Sequence, residues 1–502
     1  MAPADPEVRT SAGRIRGRVE NGVAVFRGIP FAEPPVGALR FGAPEPAHPW
    51  DGVRDAVAYG PAAPQAAFPG APPAPPEHAQ SSEWLTLNVW TPDPGAKALP
   101  VMVWIHGGAY LFGSSADPGT DGGGFAAAGA VLVSCNYRLG VEGFAQIAGA
   151  PANRGLLDLV AALRWVADNV AAFGGDPANV TVFGESAGAG MISALLAMHK
   201  ARGLFRRAIA QSVPGTVFTT ELASDITRAI ADEAGVPATR EAFGAIAPMR
   251  LVDASMAVTG QMRKFPRWGA VRLTDTPFSP VVDGEVLPRA PWRALLSGAA
   301  REVELLTGHN RDEYQLFIAM SGRLGKITDE DTATVLASFA PAQDGAARYR
   351  KSYPHADAER LYELVFSDWL FRMPTLHLAQ AHAASGGRTF LYELTAEAPS
   401  APDVFRACHA LDVPMVFGMW GQGIGALLTG DQPPAEFAAV GELMRSEWLR
   451  FAEYGDPGWP VYGTERRTTR VYDLQPDVGP YPEEVSMHLW ERHQFDALGL
   501  ST

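Results

Sequence analysis

Residues 180–190 read VTVFGESAGAG, with Ser186 set between Gly184 and Gly188 directly behind a short apolar run. Such a serine is either an accident of small residues where a strand runs into a helix, or a nucleophile held on a sharp turn. Composition alone yields about 0.2 G-x-S-x-G patterns in this chain, so the motif carries meaning only if its chemical partners exist elsewhere. A serine hydroxyl needs a base to accept its proton, an acid to orient that base, and N–H donors to meet the oxyanion it creates. In a strand–turn–helix setting these come in the order Ser, Asp or Glu, His, with a glycine-rich donor loop upstream.

Candidates for each part are present. VWIHGGAYLFG (103–113) leaves an apolar run and enters paired glycines, whose backbone can turn N–H groups inward with no Cβ in the way. Of the eleven histidines, His409 lies in the loop APSAPDVFRACHALDVP after the apolar run TFLYEL, where the last strand should deliver a base to the top of the sheet. His309, in TGHNRDEY, is the alternative, but it follows an earlier strand and crowds the acid. His48 and His106 precede the serine, and His199 falls on the helix expected after it. His377 and His382 read as helix residues, and His488 and His493 lie near the C-terminus. For the acid, HNRDEY offers Asp312 and Glu313 side by side; spacing does not choose between them, and either can be a solvated charge at a helix start.

The elements that must hold these groups follow from the apolar pattern. LPVMVWIH (99–106) and AVLVSCNY (130–137) are continuous apolar runs, as expected of strands covered on both faces. Residues 156–172 carry apolar positions at helical spacing, and FGGDPANVTVFG then supplies a stop, a turn and the strand before Ser186. EVELLTGHN and GRTFLYEL add further strands with helical stretches between them. Strands alternating with helices predict an α/β fold, a mostly parallel sheet with helices on both faces. The first forty residues read as an antiparallel meander. Residues 61–78 hold seven prolines and can form neither helix nor central strand. One domain over 1–502 is expected, with a proline-rich rim loop at about 61–80 and a helical cap-like region at about 320–385.

Composition narrows the function classes. Apolar residues at 47% and charged residues at 19% are a globular balance, and the net charge of −14 disfavours nucleic acid or an anionic membrane as partner. No apolar run approaches the length of a membrane span, and MAPADPEVRT lacks the basic and apolar regions of a signal peptide. Two cysteines, Cys135 and Cys408, in so long a chain point to a reducing compartment and exclude a cysteine-rich metal site. A cytoplasmic protein, a monomer, is expected.

The chain resembles the type-B carboxylesterases, which include the bacterial para-nitrobenzyl esterases and, more distantly, the cholinesterases. The likeness runs from FRGIPFAEPPVGALRF (26–41) and WDGVRDAVAYGP (50–61) through LTLNVWTP, VWIHGGAY, NYRLG, FGGDPANVTVFGESAGAG, AIAQS, PVVDG and HALDVPMVFG to FAEYGDPGWPVY (451–462). It implies the α/β-hydrolase fold, a triad of Ser186, Glu313 and His409, and oxyanion donors at Gly108, Ala109 and Ala187. It also implies a role near the base of the gorge for Glu185, and by position Tyr110, Phe278 and Phe317 are candidates to line the acyl and alcohol pockets. The family's cysteine-bearing C-P-Q and E-D-C-L segments read APQ (63–65) and SEWL (82–85) here, so Ala63 and Trp84 replace both members of a pair that often bridges. The implied activity is hydrolysis of small to medium, including aromatic, carboxylic esters through an acyl-enzyme, with no cofactor and no metal. Carbamate or amide hydrolysis, a long-chain lipase, and a non-catalytic binding protein are the alternatives. Because a neutral His409 is required, activity should rise with pH through about 6 to 7.

Overall fold

LPVMVWI and VLVSC are apolar at every position because both faces of the sheet they enter are covered. A computed structural model describes residues 5–67 and 81–501, and among them eleven strands form one sheet. In chain order these are β1 (Arg18–Glu20), β2 (Val23–Pro30), β3 (Thr86–Thr91), β4 (Leu99–Ile105), β5 (Val131–Cys135), β6 (Gly175–Glu185), β7 (Arg207–Gln211), β8 (Glu304–Asn310), β9 (Thr389–Leu394), β10 (Thr468–Tyr472) and β11 (Asp477–Pro480). Their lateral order is β11-β10-β9-β8-β7-β6-β4-β5-β3-β2-β1. From β10 to β5 the strands are parallel. The strands β3, β2 and β1 add antiparallel at one edge and β11 at the other.

The expected N-terminal meander divides in two. Glu7–Arg9 and Arg14–Arg16 pair antiparallel within a separate three-stranded sheet completed by Val53–Asp55. By contrast, β1 and β2 form a hairpin on the large sheet, turned by Asn21 and Gly22 at φ 50° and 82°. An Asn-Gly pair suits such a turn because both central residues need positive φ.

Strand alternation sends side chains into two cores. Val101, Val103 and Ile105 enter one and Met102 and Trp104 the other, all essentially inaccessible. Full burial of each such side chain contributes about 1.5–3 kcal/mol. The helices around the sheet include α1 (Arg154–Asn169), α2 (Ala187–Ala197), α3 (Gln315–Met320), α4 (Asp329–Phe339), α5 (Gly345–Ser352), α6 (Ala358–Ser367), α7 (Met373–Ala384), α8 (Asp412–Phe417), α9 (Ala435–Tyr454) and α10 (Glu484–Trp490). Leu156 and Leu163 of α1 and Ile192 of α2 pack in the first core, whereas Met444, Trp448 and Phe451 of α9 pack in the second. The helix expected over 156–172 is α1 continued by a 3₁₀ turn, Val170–Phe173. His199 lies beyond the end of α2, in a short 3₁₀ turn.

The stretch at 320–385 is largely helical, α4 opening on a capping box between Thr328 and Asp331. It contains one irregularity, a π-helical turn at Asp368–Arg372 between α6 and α7. Most of the proline-rich stretch at 61–80 lies outside the described residues. Ala63 and Trp84 are both buried in the first core, and Cys135 and Cys408 are buried and unbridged. Among the described residues no helix is long and apolar enough to cross a membrane.

Candidate functional site

The parallel strands deliver the candidate groups to their carboxyl ends, the place where open α/β sheets bind ligands. Register aligns those ends: Gln211 of β7 sits opposite Glu185 of β6 and Gly308 of β8, and Asn310 opposite Leu394 of β9. Ser186 follows β6 immediately and caps α2, with φ 56° and ψ −123°. That conformation costs an L-residue on the order of 1–3 kcal/mol. It is held because Ser186 N donates to the Gln211 carbonyl at 2.9 Å and Gly190 N donates to the Ser186 carbonyl at 2.9 Å. The flanking glycines are required by packing. A Cβ on Gly184 would stand 2.5 Å, and one on Gly188 2.1 Å, from the Ile105 carbonyl oxygen of β4.

His409 joins the serine from 223 residues away, its Nε2 lying 2.9 Å from Ser186 Oγ. Its Nδ1 lies 2.5 Å from Glu313 Oε2. Glu313 is fully buried, and its other oxygen accepts from Ser212 Oγ at 2.6 Å and from Asn310 N at 2.8 Å. A carboxylate can only accept, so in the neutral imidazole Nδ1 carries the ring proton and Nε2 is left to accept from the serine hydroxyl. Three further bonds tie the acid loop to the histidine loop: Asp312 N to Ala407 O, His409 N to Glu313 O, and Asn310 Nδ2 to Cys408 O.

The two adjacent acids differ in their partners. Asp312 turns the other way and is held by Arg311 at 2.9 Å and Arg360 at 2.5 Å. Burial opposes its ionisation, but the two guanidinium groups outweigh that and lower its pKa. The alternative histidine, His309, is fully buried and bonded to Tyr481 Oη at 2.9 Å and to the Asn310 carbonyl at 3.0 Å. Burial pushes it down to about 4, so it is neutral and structural.

The glycine loop crosses in front of Ser186. A Cβ on Gly107 would approach the Ser186 Cβ to 3.3 Å. Gly108 (φ 110°), Ala109 (φ 54°) and Tyr110 (φ 61°) are all in the left-handed region. The Gly108 carbonyl turns back to accept from Leu111 N and Phe112 N at 2.9 Å each. Ala187 is the first residue of α2, where N–H groups lack intrahelical acceptors. Gln65, in the APQ segment, clamps the far end of the loop through two bonds with the Gly113 backbone, at 2.9 and 2.8 Å.

Glu185 is nearly buried, and its Oε1 lies 3.0 Å from His409 Nε2. Burial pushes its carboxyl up to about 8, opposed by His409. On His409 burial disfavours the cation, but Glu185 and Glu313 together outweigh it and raise the imidazole to about 9. With the imidazole so raised, the activity rise expected at pH 6 to 7 should lie at higher pH. Of the three aromatic candidates, Phe317 comes to the site, its ring centroid 5.3 Å from that of His409. Tyr110 packs on Phe144, with its hydroxyl against Gly190, and Phe278 is equally buried, beside Gly140. Two groups were not anticipated. Ser212, at φ 57°, ends the AIAQS segment and bonds Glu313. Phe371, in the π-helical turn, stacks on His409 at 4.2 Å and 28°. Among the described residues, no group of three or more His, Cys, Asp or Glu side chains is arranged to hold a metal ion.

Comparison with known proteins fits this geometry. The profile of the carboxylesterase family matches residues 4–488. The chain is 36% identical over 496 residues to the para-nitrobenzyl esterase of Bacillus subtilis, covering 95% of this chain and 96% of that one. It is 34% identical over 469 residues to the phenmedipham hydrolase of Pseudarthrobacter oxydans, covering 91% and 93%. The crystal structure of a Geobacillus stearothermophilus carboxylesterase superposes with a TM-score of 0.84 at 37% identity, covering 96% of this chain and 99% of that one. The sheet with its surrounding helices is thus the α/β-hydrolase fold, and the chain belongs to the carboxylesterase family.

Proposed function

We propose that this carboxylesterase hydrolyses small to medium carboxylic esters, aromatic ones included, through an acyl-enzyme on Ser186. The observation that carries the reading is the chain of contacts Ser186 Oγ–His409 Nε2–Glu313, at 2.9 and 2.5 Å, hung on a strained serine. As Oγ attacks the carbonyl carbon, its proton passes to Nε2, and Glu313 steadies the imidazolium through Nδ1. The N–H groups of Gly108, Ala109 and Ala187 receive the oxyanion, each worth about 10²–10³ in rate if side-chain donors are a guide. Collapse breaks the ester C–O bond, and the leaving alkoxide takes the Nε2 proton. Water then attacks the acyl-enzyme, giving its proton to His409, and the carboxylic acid departs with Oγ reprotonated.

Aromatic substrates are supported by Phe317 and Phe371, whose rings pack against His409 and against each other, and by the name of the para-nitrobenzyl relative. The helical stretch at about 320–385 acts as a cap in this reading, since it supplies Phe371. Two buried, unbridged thiols support a cytoplasmic location. A second reading, hydrolysis of carbamate or amide bonds by the same triad, brings phenmedipham into the assay because a relative carries that name.

The test combines labelling by a fluorophosphonate with rates on p-nitrophenyl esters from C2 to C12, bulky aromatic diesters and phenmedipham. Wild type should label, Ser186→Ala should not, and rates should peak at short or aromatic acyl groups. An unlabelled wild type would remove the enzyme reading. A peak at C10 or longer would replace the substrate class with long-chain lipids.

A further inference from the structure

Arg372 is completely buried, yet all of its nitrogens are engaged, and its partners belong to three separate segments. Nε donates to Asp368 Oδ1 at 2.9 Å, across the π-helical turn. Nη1 donates to the carbonyl of Arg311 at 2.9 Å, two residues before Glu313. Nη2 donates to Glu483 Oε2 at 3.1 Å, just before α10, and to Ser486 Oγ at 2.9 Å, within it. The ring of partners closes on itself. Asp368 Oδ2 accepts from Ser486 Oγ and from Tyr349 Oη of α5, both at 2.6 Å, and Trp490 Nε1 of α10 donates to Tyr349 Oη at 2.5 Å.

Two facts argue against stability as the reason for this cluster. Replacing a buried ion pair by apolar side chains of similar volume is often neutral or stabilising, because desolvation cancels the attraction. A π-helical turn is also rarer and poorer in geometry than α-helix, and such turns are often found at functional sites. Here the turn makes consecutive residues serve opposite purposes. Phe371 stacks on the His409 ring while Arg372 reaches under the loop that carries Glu313. A planar guanidinium, with five donors in a fixed fork, can hold three directions at once.

We propose that Arg372 is a positioning residue for the triad, locking the π-helical turn, the Glu313 loop and the C-terminal helix α10 into the one arrangement that sets the Glu313–His409 contact. It rests on the assignment of Ser186, His409 and Glu313 as the triad. In this arrangement α10, which contributes no side chain to the reacting centre, is part of the scaffold of the site.

The experiment measures kcat and KM on p-nitrophenyl butyrate, with kcat expressed per serine titrated by fluorophosphonate, together with thermal melting. Arg372→Met should lower kcat per titrated serine about 10- to 100-fold, the range that misplacement of about 1 Å produces, with KM within about twofold of wild type. Arg372→Lys keeps the charge but not the fork, and should remain at least about fivefold down. As a control, Arg207→Met removes a buried arginine paired with Glu304 at 2.6 Å at the opposite ends of β7 and β8. It should lower the melting temperature and leave kcat per titrated serine unchanged. Should Arg372→Met fail to fold, Ser486→Ala, which cuts only the α10 arm, should cost at least about threefold in kcat per titrated serine. Wild-type kcat per titrated serine in Arg372→Met or Arg372→Lys overturns the proposal, as does an unchanged value in Ser486→Ala or an equal fall in Arg207→Met. A wild type that does not titrate at all refutes the triad assignment instead.

Discussion

Replacing Glu185 by glutamine removes the carboxylate beside Nε2 of His409, the nitrogen that faces Ser186, while keeping nearly the same shape. Across the 3.0 Å between Glu185 Oε1 and Nε2, two full charges attract by about 5 kcal/mol at an effective dielectric of about 20. At about 1.4 kcal/mol per pKa unit that is a ceiling of about 4 units. The realised shift is smaller for two reasons. Burial of Glu185 opposes the charge it needs for this attraction, and Glu313 stays in place to favour the imidazolium. A fall of about 1 to 2 units remains. The sign follows from the chemistry. His409 acts as a base only when neutral, and a folded-state value raised to about 9 delays the neutral form until pH climbs through it. Lowering that value moves the acid limb of activity to lower pH and raises the fraction of active enzyme near neutrality. The assay is kcat/KM on p-nitrophenyl acetate from about pH 5 to 10, corrected for spontaneous hydrolysis, on both proteins. An acid limb that does not move, or moves upward, refutes the coupling. A wild-type limb centred at the ordinary imidazole value of about 6.5 refutes the claim that the two carboxylates dominate the site.

Three other outcomes are expected. Ser212→Ala deletes the 2.6 Å bond to Glu313 and should lower kcat about tenfold with little change in KM, the worth of one hydrogen bond to a charged group. Phe317→Ala opens the space beside His409 and should raise the C8-to-C4 ratio of kcat/KM on p-nitrophenyl esters about three- to tenfold. Asp158→Ala leaves the guanidinium of Arg138, wholly inaccessible and bonded at 2.8 and 2.7 Å, without its counter-charge. The loss should be about 3–5 kcal/mol, seen as a lower midpoint in chemical denaturation.

Much of this site is legible in the residues, and what is not has a physical explanation. The meeting of Ser186 and His409 can be read because each follows an apolar strand whose end must lie at the same edge of a parallel sheet. The choice of Glu313 over Asp312 cannot be read from spacing. Neighbours on a turn point apart, and the side chain that claims Asp312, Arg360, comes from a helix 48 residues later. Ser212 looks like an ordinary turn residue until β7 is inserted between β6 and β8, which sets its hydroxyl on the acid. Phe371 and Arg372 are hidden because a π-helical turn leaves no trace in a 3.6-residue periodicity. The pH range expected from sequence takes no account of neighbours, for a related reason. A histidine's ordinary value holds only without neighbours, and the two carboxylates beside His409 come from β6 and from the turn after β8.

The order of the strands in the sheet also bears on how the enzyme comes into being. The serine and histidine are separated by 223 residues and the acid and histidine by 96; the second pair needs only β8 beside β9, whereas the first adjoins when β7 has taken its place between β6 and β8. Local helices can form early, but contacts of such long range wait for large loops to close, which makes them slow steps. Turnover is therefore a late reporter of folding. During refolding, helical signal should return ahead of esterase activity, and the lag between the two times the closing of the sheet.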